Sequence, residues 1–266
     1  LIYHWLGFTP PRPSEIVAYF DSLQNPDGSL VDTRGYGVVQ QVFDLLAYKH
    51  LNAQPAKSLD PWFAAEATDW THILSVVQTY GSGNFWGTLV GYPLNWLYFK
   101  KMPPWWNQYD ALARNNPSSW WYDLHQRNHF IVPYIALDLN PPFLTELLNQ
   151  TVTEQLADGS WVNSMPETAM TLHNIIYPYY LLTRRADLYV AMQKATSYIS
   201  SCYRETTVGG QVIGWFIPTP TSDPSPSLID IHVTIMGVMA SIDLGLLKGN
   251  TDPLYRDFSL TTPPPP

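Results

Sequence analysis

The chain has 266 residues, a formal net charge of −8 and 14 Lys and Arg residues without a basic run. Because no basic cluster is present to replace phosphate counterions, we expect no binding to nucleic acid or to an anionic membrane. No apolar stretch reaches the ~18 residues of a membrane-spanning helix, so the sequence predicts no transmembrane segment.

Amphipathic helices are predicted where apolar residues recur with a spacing of 3.6. In chain order they are PSEIVAYFDSL (13–23), DWTHILSVV (69–77), PPFLTELLNQTV (141–152) and DLYVAMQKATSYISS (187–201). Ser14 ahead of Glu15 and Asp60 ahead of Pro61 are reasonable helix starts. These segments are the predicted outer helices of a repeat.

A turn motif recurs along the chain. Its copies are LQNPDGSL (23–30), QTYGSGNFW (78–86), ARNNPSSW (113–120), EQLADGSW (154–161) and a longer variant, RETTVGGQVIGW (204–215). The irregular spacing of roughly 35 to 75 residues is typical of helical hairpins with insertions.

An apolar segment of helical length follows each turn, as expected of inner helices buried on all sides. Three of these segments carry a proline at an equivalent place, Pro93, Pro133 and Pro178. An interior proline removes a helical hydrogen bond, so we expect a shared kink. The sequence therefore predicts an all-α fold, an α/α toroid (barrel) of about five helical hairpins. We expect one domain over 1–255, with insertions at 102–120 and 216–227 at the rim, and a Pro-rich tail over 256–266.

The stretch from Gln155 to Trp161 resembles the Gln-x-x-x-Gly-x-Trp repeat of squalene–hopene cyclases and oxidosqualene cyclases. The segment SLIDIHVTIMGVMAS (227–241) resembles the last inner helix of protein prenyltransferase β subunits. The resemblance to this terpenoid cyclase and prenyltransferase superfamily implies the α/α toroid and an apolar, isoprenoid-like ligand. The Asp-x-Asp-Asp acid of class II cyclases and the Asp-x-Cys zinc ligands of prenyltransferases have no counterpart here.

In a toroid the turns that lead into the inner helices lie on one rim, so polar residues of the first turns should converge on the central cavity. These residues are Asp32, Arg34, Tyr36, Trp86, Thr88, Trp121, Asp123, His125, His129, Glu167, Thr171, His173, Asp230 and His232. Asp230 with His232 and Glu167 with His173 are the candidate catalytic pairs, in which a carboxylate orients a histidine that moves a proton.

Two other interpretations apply to the same residues. His125 and His129, four residues apart on one helical face, form a weaker candidate metal site with His173 or His232 and a carboxylate. Alternatively, Asp32, Asp123, Glu167 and Asp230 are helix caps, because acidic residues are favoured in any first helical turn. No motif indicates a cofactor, and we predict none.

The high aromatic content, 14% of the chain with 11 Trp and 17 Tyr, is typical of cores and of sites where a ring face meets a sugar or a hydrocarbon. The candidate ligand-binding residues are Tyr36, Trp86, Tyr92, Trp121, Phe130 and Tyr177. The paired tryptophans at 105–106 and 120–121 are interpreted as anchors of the insertion between hairpins two and three, and alternatively as exposed rings that grip a sugar chain or cap an apolar pocket.

Three functions are compatible with these features. The first is a cyclase-like or prenyltransferase-like protein whose aromatic-lined cavity holds an apolar ligand, with acid–base chemistry at the rim. The second is an exported glycosidase or polysaccharide lyase that uses Asp32, Arg34, Asp123 and Glu167. The third is a non-catalytic surface or assembly module, part of a larger exported protein or filament.

Several features of composition suit an exported protein at the cell surface or outside the cell. The chain has 24 Pro, few Lys, a Thr-Thr-Pro-Pro-Pro-Pro end and a sequon at Asn149, and it begins at Leu1, so we expect a removed leader or a trimmed chain. Its single cysteine, Cys202, excludes an intramolecular disulfide framework.

Overall fold

The computed structural model describes residues 9–30, 47–61, 106–115, 124–131, 134–135, 139–223, 225 and 231–246. The chain divides into two compact units, one formed mainly by Phe8–Pro142 and the other mainly by Phe143–Pro266. The predicted Pro-rich tail lies outside the described residues, and the predicted single domain over 1–255 stays a prediction.

The described helices of the first unit include α1 (Pro13–Leu23), α2 (Trp106–Asn115) and α3 (Leu124–Phe130), and residues 47–50 are also helical. Helix α1 matches the predicted outer helix 13–23, although it begins at Pro13 with Arg12 at the cap position, so Ser14 is not its N-cap. Helix α2 falls inside the predicted insertion at 102–120. Proline at the first position suits α1, because its missing N–H has no partner in a first helical turn.

Aromatic rings form the described core around α2 and α3. Tyr109 and Phe130 stack with centroids 5.8 Å apart, and Trp106 meets Tyr134 edge-on at 4.9 Å. Tyr109 and Phe130 are both about 1% exposed, and the Tyr109 hydroxyl donates to the Phe130 carbonyl at 3.1 Å. Trp106 thus packs on this aromatic cluster, whereas the other three tryptophans of the two pairs lie outside the described residues, so their anchoring of the insertion stays a prediction.

The second unit begins with helices. These are α4 (Leu144–Thr153), α5 (Met165–Thr171), a π-helix (Leu172–Ile176), α6 (Tyr177–Thr183) and α7 (Ala186–Ser201). Helices α4 and α7 correspond to the predicted outer helices 141–152 and 187–201. Each buries one apolar stripe, including Leu147 and Leu148 on α4 and Leu188 and Ala195 on α7. The periodicity of 3.6 in the sequence therefore gives the correct elements here.

The rest of the second unit is a β-hairpin and a last helix. Strands β1 (Tyr203–Val208) and β2 (Gln211–Phe216) pair antiparallel around a Gly-Gly turn, and α8 (Ile231–Asp243) follows. The hairpin is anchored at its base, where Phe216 packs on α8 at Gly237 and Ile217 N–H donates to the Cys202 carbonyl at 3.0 Å. The loop after β2 is tied to the start of α5 through the Met165 N–H, which donates to the Pro218 carbonyl at 2.8 Å.

This hairpin corrects the fold prediction. The all-α α/α toroid of about five helical hairpins is wrong, because the chain is mixed and the fifth predicted turn, 204–215, is two β-strands. The physical reason is visible in the residues, since Thr206, Thr207, Val212 and Ile213 are β-branched and a two-residue Gly-Gly turn lies between them. Such a turn needs positive φ at both central residues, and Gly209 and Gly210 have φ of 58° and 79°.

The copies at 23–30 and 154–161, one in each unit, are both described, and they share hydrogen bonds made by the Gln, Asp and Ser of the motif. The side-chain amide of Gln24 donates to the Gly28 carbonyl at 2.8 Å, and that of Gln155 donates to the Gly159 carbonyl at 2.9 Å. Asp27 accepts from the Ser29 N–H and hydroxyl, and Asp158 accepts from those of Ser160. The recurring sequence motif therefore encodes a recurring local structure.

None of the helices in the described part of the chain has the length and the apolar character that crossing a bilayer requires.

Candidate functional site

The candidate site is built on a wide helical turn in the second unit. Pro178 has no N–H to donate to the carbonyl of Asn174, so the regular α-helical ladder cannot run through this point. The chain widens into the π-helix Leu172–Ile176, and the Tyr177 N–H donates to the Leu172 carbonyl, five residues earlier. Single π-helical turns occur frequently at functional sites, because the wide turn re-aims side chains. Here the turn carries His173 and Asn174.

His173 lies in hydrogen-bond contact with Asp243, the last residue of α8. The distance from His173 Nδ1 to Asp243 Oδ2 is 2.9 Å. Both residues are buried, with exposures of 3% and 5%. When Asp243 is ionised, Nδ1 carries the shared proton and Nε2 is the ring's acceptor; when Asp243 is protonated, the roles reverse. The pair can therefore hold one proton in two arrangements.

The surroundings disfavour the ionised form of Asp243. Burial raises the pKa of the Asp243 carboxyl above its ordinary value, and the neighbouring His173 opposes that rise. Asp243 also ends a helix, where the partial negative charge of the carbonyls repels an anion. That end is closed by Gly245, with φ of 71°, through bonds from Gly245 N–H to the Ile242 carbonyl and from Leu246 N–H to the Ser241 carbonyl.

The buried residues on the two elements that carry the pair are mostly apolar. Leu172, Ile175 and Ile176 of the π-helix and Ala240 of α8 have no exposed surface, and Ile242 is 3% exposed. The buried polar residues on the same elements include Asn174 and Ser241, whose hydroxyl donates to the Gly237 carbonyl at 2.7 Å. A polar pair in such surroundings interacts strongly, because the local dielectric is low.

Glu167, predicted as the carboxylate partner of His173, lies in the first turn of α5. Ser164 is the N-cap of that helix, and its hydroxyl accepts from the Glu167 N–H at 3.4 Å. Ser164 and Glu167 thus have the spacing of a capping box, which agrees with the interpretation of Glu167 as a helix-start residue. The carboxylate in direct contact with His173 is Asp243, and a catalytic pairing with Glu167 stays a prediction.

Sequence reasoning singles out His173 but pairs it with Glu167 and misses Asp243. The available signal is charge, because Asp243 is the single charged residue in the apolar stretch HVTIMGVMASIDLGLL (232–247) that follows the last turn. A lone carboxylate in an apolar helix indicates a buried partner, since an unpaired buried charge is costly.

Most other predicted site residues cannot be compared with the structure. Asp230 lies outside the described residues, and so do Asp32, Arg34, Tyr36, Trp86, Thr88, Tyr92, Trp121 and Asp123. His232 lies in the first turn of α8, and its side chain is outside the described part. The Thr171 hydroxyl donates to the Glu167 carbonyl at 2.7 Å, within α5.

The two described candidates for ligand binding, Phe130 and Tyr177, lie in different units. Phe130 is packed between Tyr109 and Tyr134 in the first unit, and Tyr177, 4% exposed, follows the π-helix in the second. Both are core side chains of their own units, and their roles in a shared cavity stay predictions.

The predicted histidine pair of the weaker metal site lies on α3, where His125 is exposed and the side chain of His129 is outside the described part. Within the described residues, no three His, Cys, Asp or Glu side chains are grouped closely enough to hold a metal ion.

No family model, curated protein or solved structure matches this chain. Its function is therefore inferred from its own residues.

Proposed function

We propose that this chain carries out acid–base chemistry on an apolar, isoprenoid-like ligand, with His173 as the proton-transferring group and Asp243 as the carboxyl group that orients the ring and supplies its proton. The observation that carries the proposal is the buried contact of 2.9 Å between His173 Nδ1 and Asp243 Oδ2. A carboxylate that fixes a histidine tautomer is the arrangement that general acid–base catalysis uses.

The raised pKa of Asp243 supports the same proposal. Burial favours the protonated carboxyl, whose proton can pass through the imidazole to a substrate, and a group with a perturbed pKa is a candidate catalytic group. The energetics of burial are a second argument. Apolar residues of similar volume are often as stabilising as a buried polar pair, or more so, which favours a role for His173 and Asp243 other than stability.

The apolar character of the buried residues near His173 in the chain favours a hydrocarbon ligand. A hydrocarbon chain has no polar groups to satisfy, so Leu172, Ile176 and Tyr177 suit it better than they suit a sugar. Aromatic faces stabilise a developing carbocation by about 1–2 kcal/mol each in a dry site. Export to the cell surface or the extracellular space is part of this proposal.

The test is proton transfer to carbon. Full-length protein is incubated in D₂O with linear isoprenoid hydrocarbons and polyprenyl alcohols, and the products are analysed by mass spectrometry for incorporated deuterium. We expect incorporation by the wild type and a loss of about 100-fold or more in Asp243→Asn and His173→Gln, the range that general acid–base groups contribute. Glu205→Gln removes an exposed carboxylate on β1 and is the matched control, with unchanged incorporation.

The proposal is wrong if folded wild-type protein incorporates no deuterium, or if both variants retain full incorporation. Native mass spectrometry of the purified protein is the companion measurement, because it reports an apolar ligand, a sugar or a metal that copurifies.

One observation favours a second candidate, the non-catalytic assembly module. The near-complete burial of His173 and Asp243 is also what a purely structural pair requires. In that case Asp243→Asn changes stability, and no copurified ligand or product is found.

A further inference from the structure

The β-hairpin presents an open strand edge that belongs to neither the acid–base pair nor the core. Among the described residues, β2 pairs only with β1. The apolar side chains near its tip are exposed, with Val212 at 69%, Val208 at 56% and Ile213 at 40%. Exposed apolar edge strands are templates for pairing with another chain.

The direction of each backbone group on β2 follows from the register. Ile217 N–H donates to the Cys202 carbonyl at 3.0 Å. Backbone groups alternate in direction along a strand, so every second residue before Ile217, including Ile213, also points its N–H and C=O toward β1. Val212, Gly214 and Phe216 therefore point theirs away from it. Phe216 N–H meets the Thr234 hydroxyl at 3.4 Å, which blocks that end of the edge. The backbone groups left facing outward from β2 are those of Val212 and Gly214.

We propose that this edge pairs with the same edge of a second copy of the chain, antiparallel, with Ile213 on the two-fold axis. This register places Val212 opposite the second copy's Gly214 and Gly214 opposite the second copy's Val212. Both pairs exchange backbone hydrogen bonds, so every outward-facing group at these two residues finds a partner. The two Ile213 side chains meet across the axis.

The side chains fit this occupant. β2 (QVIGWF) carries no charge, so no like-charged pair forms when it meets itself, whereas β1 carries Arg204 and Glu205, which oppose self-pairing at the other edge. The Tyr203 ring covers the place that a side chain at Gly214 would fill. The second copy's Val212 therefore packs beside an aromatic ring, a favourable cross-strand neighbour.

The experiment measures the oligomeric state of the full-length chain by sedimentation velocity up to about 1 mM, the weak end of measurable affinities. We expect a monomer–dimer equilibrium. Val212→Pro removes one outward N–H without removing a hairpin bond, and it should raise the dissociation constant about tenfold or more. Thr207→Pro is the matched control. Thr207 lies opposite Val212 in the hairpin, and its N–H points outward from β1, the edge that the proposed dimer does not use.

Two further variants keep the test decisive if the prolines disturb folding. Ile213→Lys places two like charges across the axis and should also weaken the dimer. Ile213→Cys should form an intermolecular disulfide on mild oxidation, because residues on the axis face each other, whereas Val212→Cys should not. The chain's own cysteine, Cys202, is buried and does not compete.

A monomer at every concentration overturns the proposal. A dimer that withstands both Val212→Pro and Ile213→Lys overturns it as well, and so does a dimer that only Thr207→Pro dissociates, which would assign the interface to β1.

Discussion

Gly28 and Gly159 occupy the same position in the two described turns, and both have φ near +90°, at 89° and 91°. A Cβ at either position would collide with a backbone carbonyl, that of Ser58 for Gly28 and that of Lys194 for Gly159. The glycine is therefore required for two reasons, its conformation and the close approach of another backbone segment. The shared Asp and Ser of the motif are explained by hydrogen bonds within the turn, and the shared Gln and Gly also by contacts with a distant backbone segment.

Gly159→Ala is expected to destabilise the protein by about 3 kcal/mol or more, because alanine combines an unfavourable positive φ with a backbone collision. Urea unfolding followed by circular dichroism measures the change. Gly209→Ala is the matched control, since Gly209 also has positive φ, at 58°, but no atom lies within 4 Å of its would-be Cβ. Gly209→Ala should lower the free energy of unfolding by only about 1 kcal/mol. Equal losses in the two variants would contradict the role given to the collision.

The burial of Cys202 predicts that its thiol is unreactive in the folded protein. The side chain is fully buried, and burial raises the pKa of its thiol to about 11. Because the thiolate is the reactive form, we expect no modification of the native protein by a thiol reagent at pH 8 and full modification after unfolding in urea. Rapid labelling of the folded chain at the rate of a free thiol would contradict this assignment.

At the scale of elements, apolar periodicity in the sequence is a good guide where a helix has one buried face. The range predicted for α1 matches the structure, and those for α4 and α7 differ by a few residues at their ends. The proline rule predicts an irregularity at Pro178, but the form it takes, a π-helix, depends on tertiary packing. The hairpin is missed because its Gly-Gly turn lies in a stretch that resembles the repeated helical turn, although its β-branched residues indicate strands.

Gly237 shows how the hairpin and α8 depend on each other. A Cβ at Gly237 would collide with the Phe216 ring, which is 6% exposed. Gly237→Ala should therefore destabilise the protein by about 1–3 kcal/mol, despite the better helix propensity of alanine.

Phe216→Leu provides the check for this packing. Combined with Gly237→Ala, it should recover part of the loss, because the smaller side chain leaves room for the methyl group. Thermal unfolding of the two single variants and the double variant gives the coupling energy. Strict additivity would show that the ring and the glycine do not interact.

At the scale of the whole molecule, the candidate site depends on a contact that sequence spacing does not show. The helical pattern and the nearby carboxylates identify His173 as a polar residue of interest, but its partner lies 70 residues later in the chain. Residues close in sequence, such as Glu167, are the natural guesses for a partner. Tertiary structure instead brings the end of α8 to the π-helix, and physical reasoning from one sequence cannot fix that pairing.

The His173–Asp243 pair should also leave a signature in the pH dependence of overall stability. Burial raises the pKa of Asp243 in the folded state above its unfolded value of about 3.9. The folded chain therefore binds more protons than the unfolded chain in this range. The resulting stabilisation is fully present below the unfolded pKa and is lost as the pH rises through the folded pKa. Its size is about 1.4 kcal/mol for each pH unit that separates the two pKa values.

Asp243→Asn isolates this contribution, because asparagine keeps the shape and a hydrogen bond but cannot ionise. We expect the free energy of unfolding of the wild type, measured in urea between pH 4 and pH 8, to fall relative to that of the variant as the pH rises. The comparison is made in a His173→Gln background as well, because His173 contacts Asp243 and its titration differs between the two proteins, whereas ionisable groups far from the pair cancel in the difference. A difference that is constant with pH, or one that grows in favour of the wild type at higher pH, would mean that Asp243 is no harder to ionise in the folded chain than in the unfolded one. The proposed proton transfer through His173 would then lose its donor.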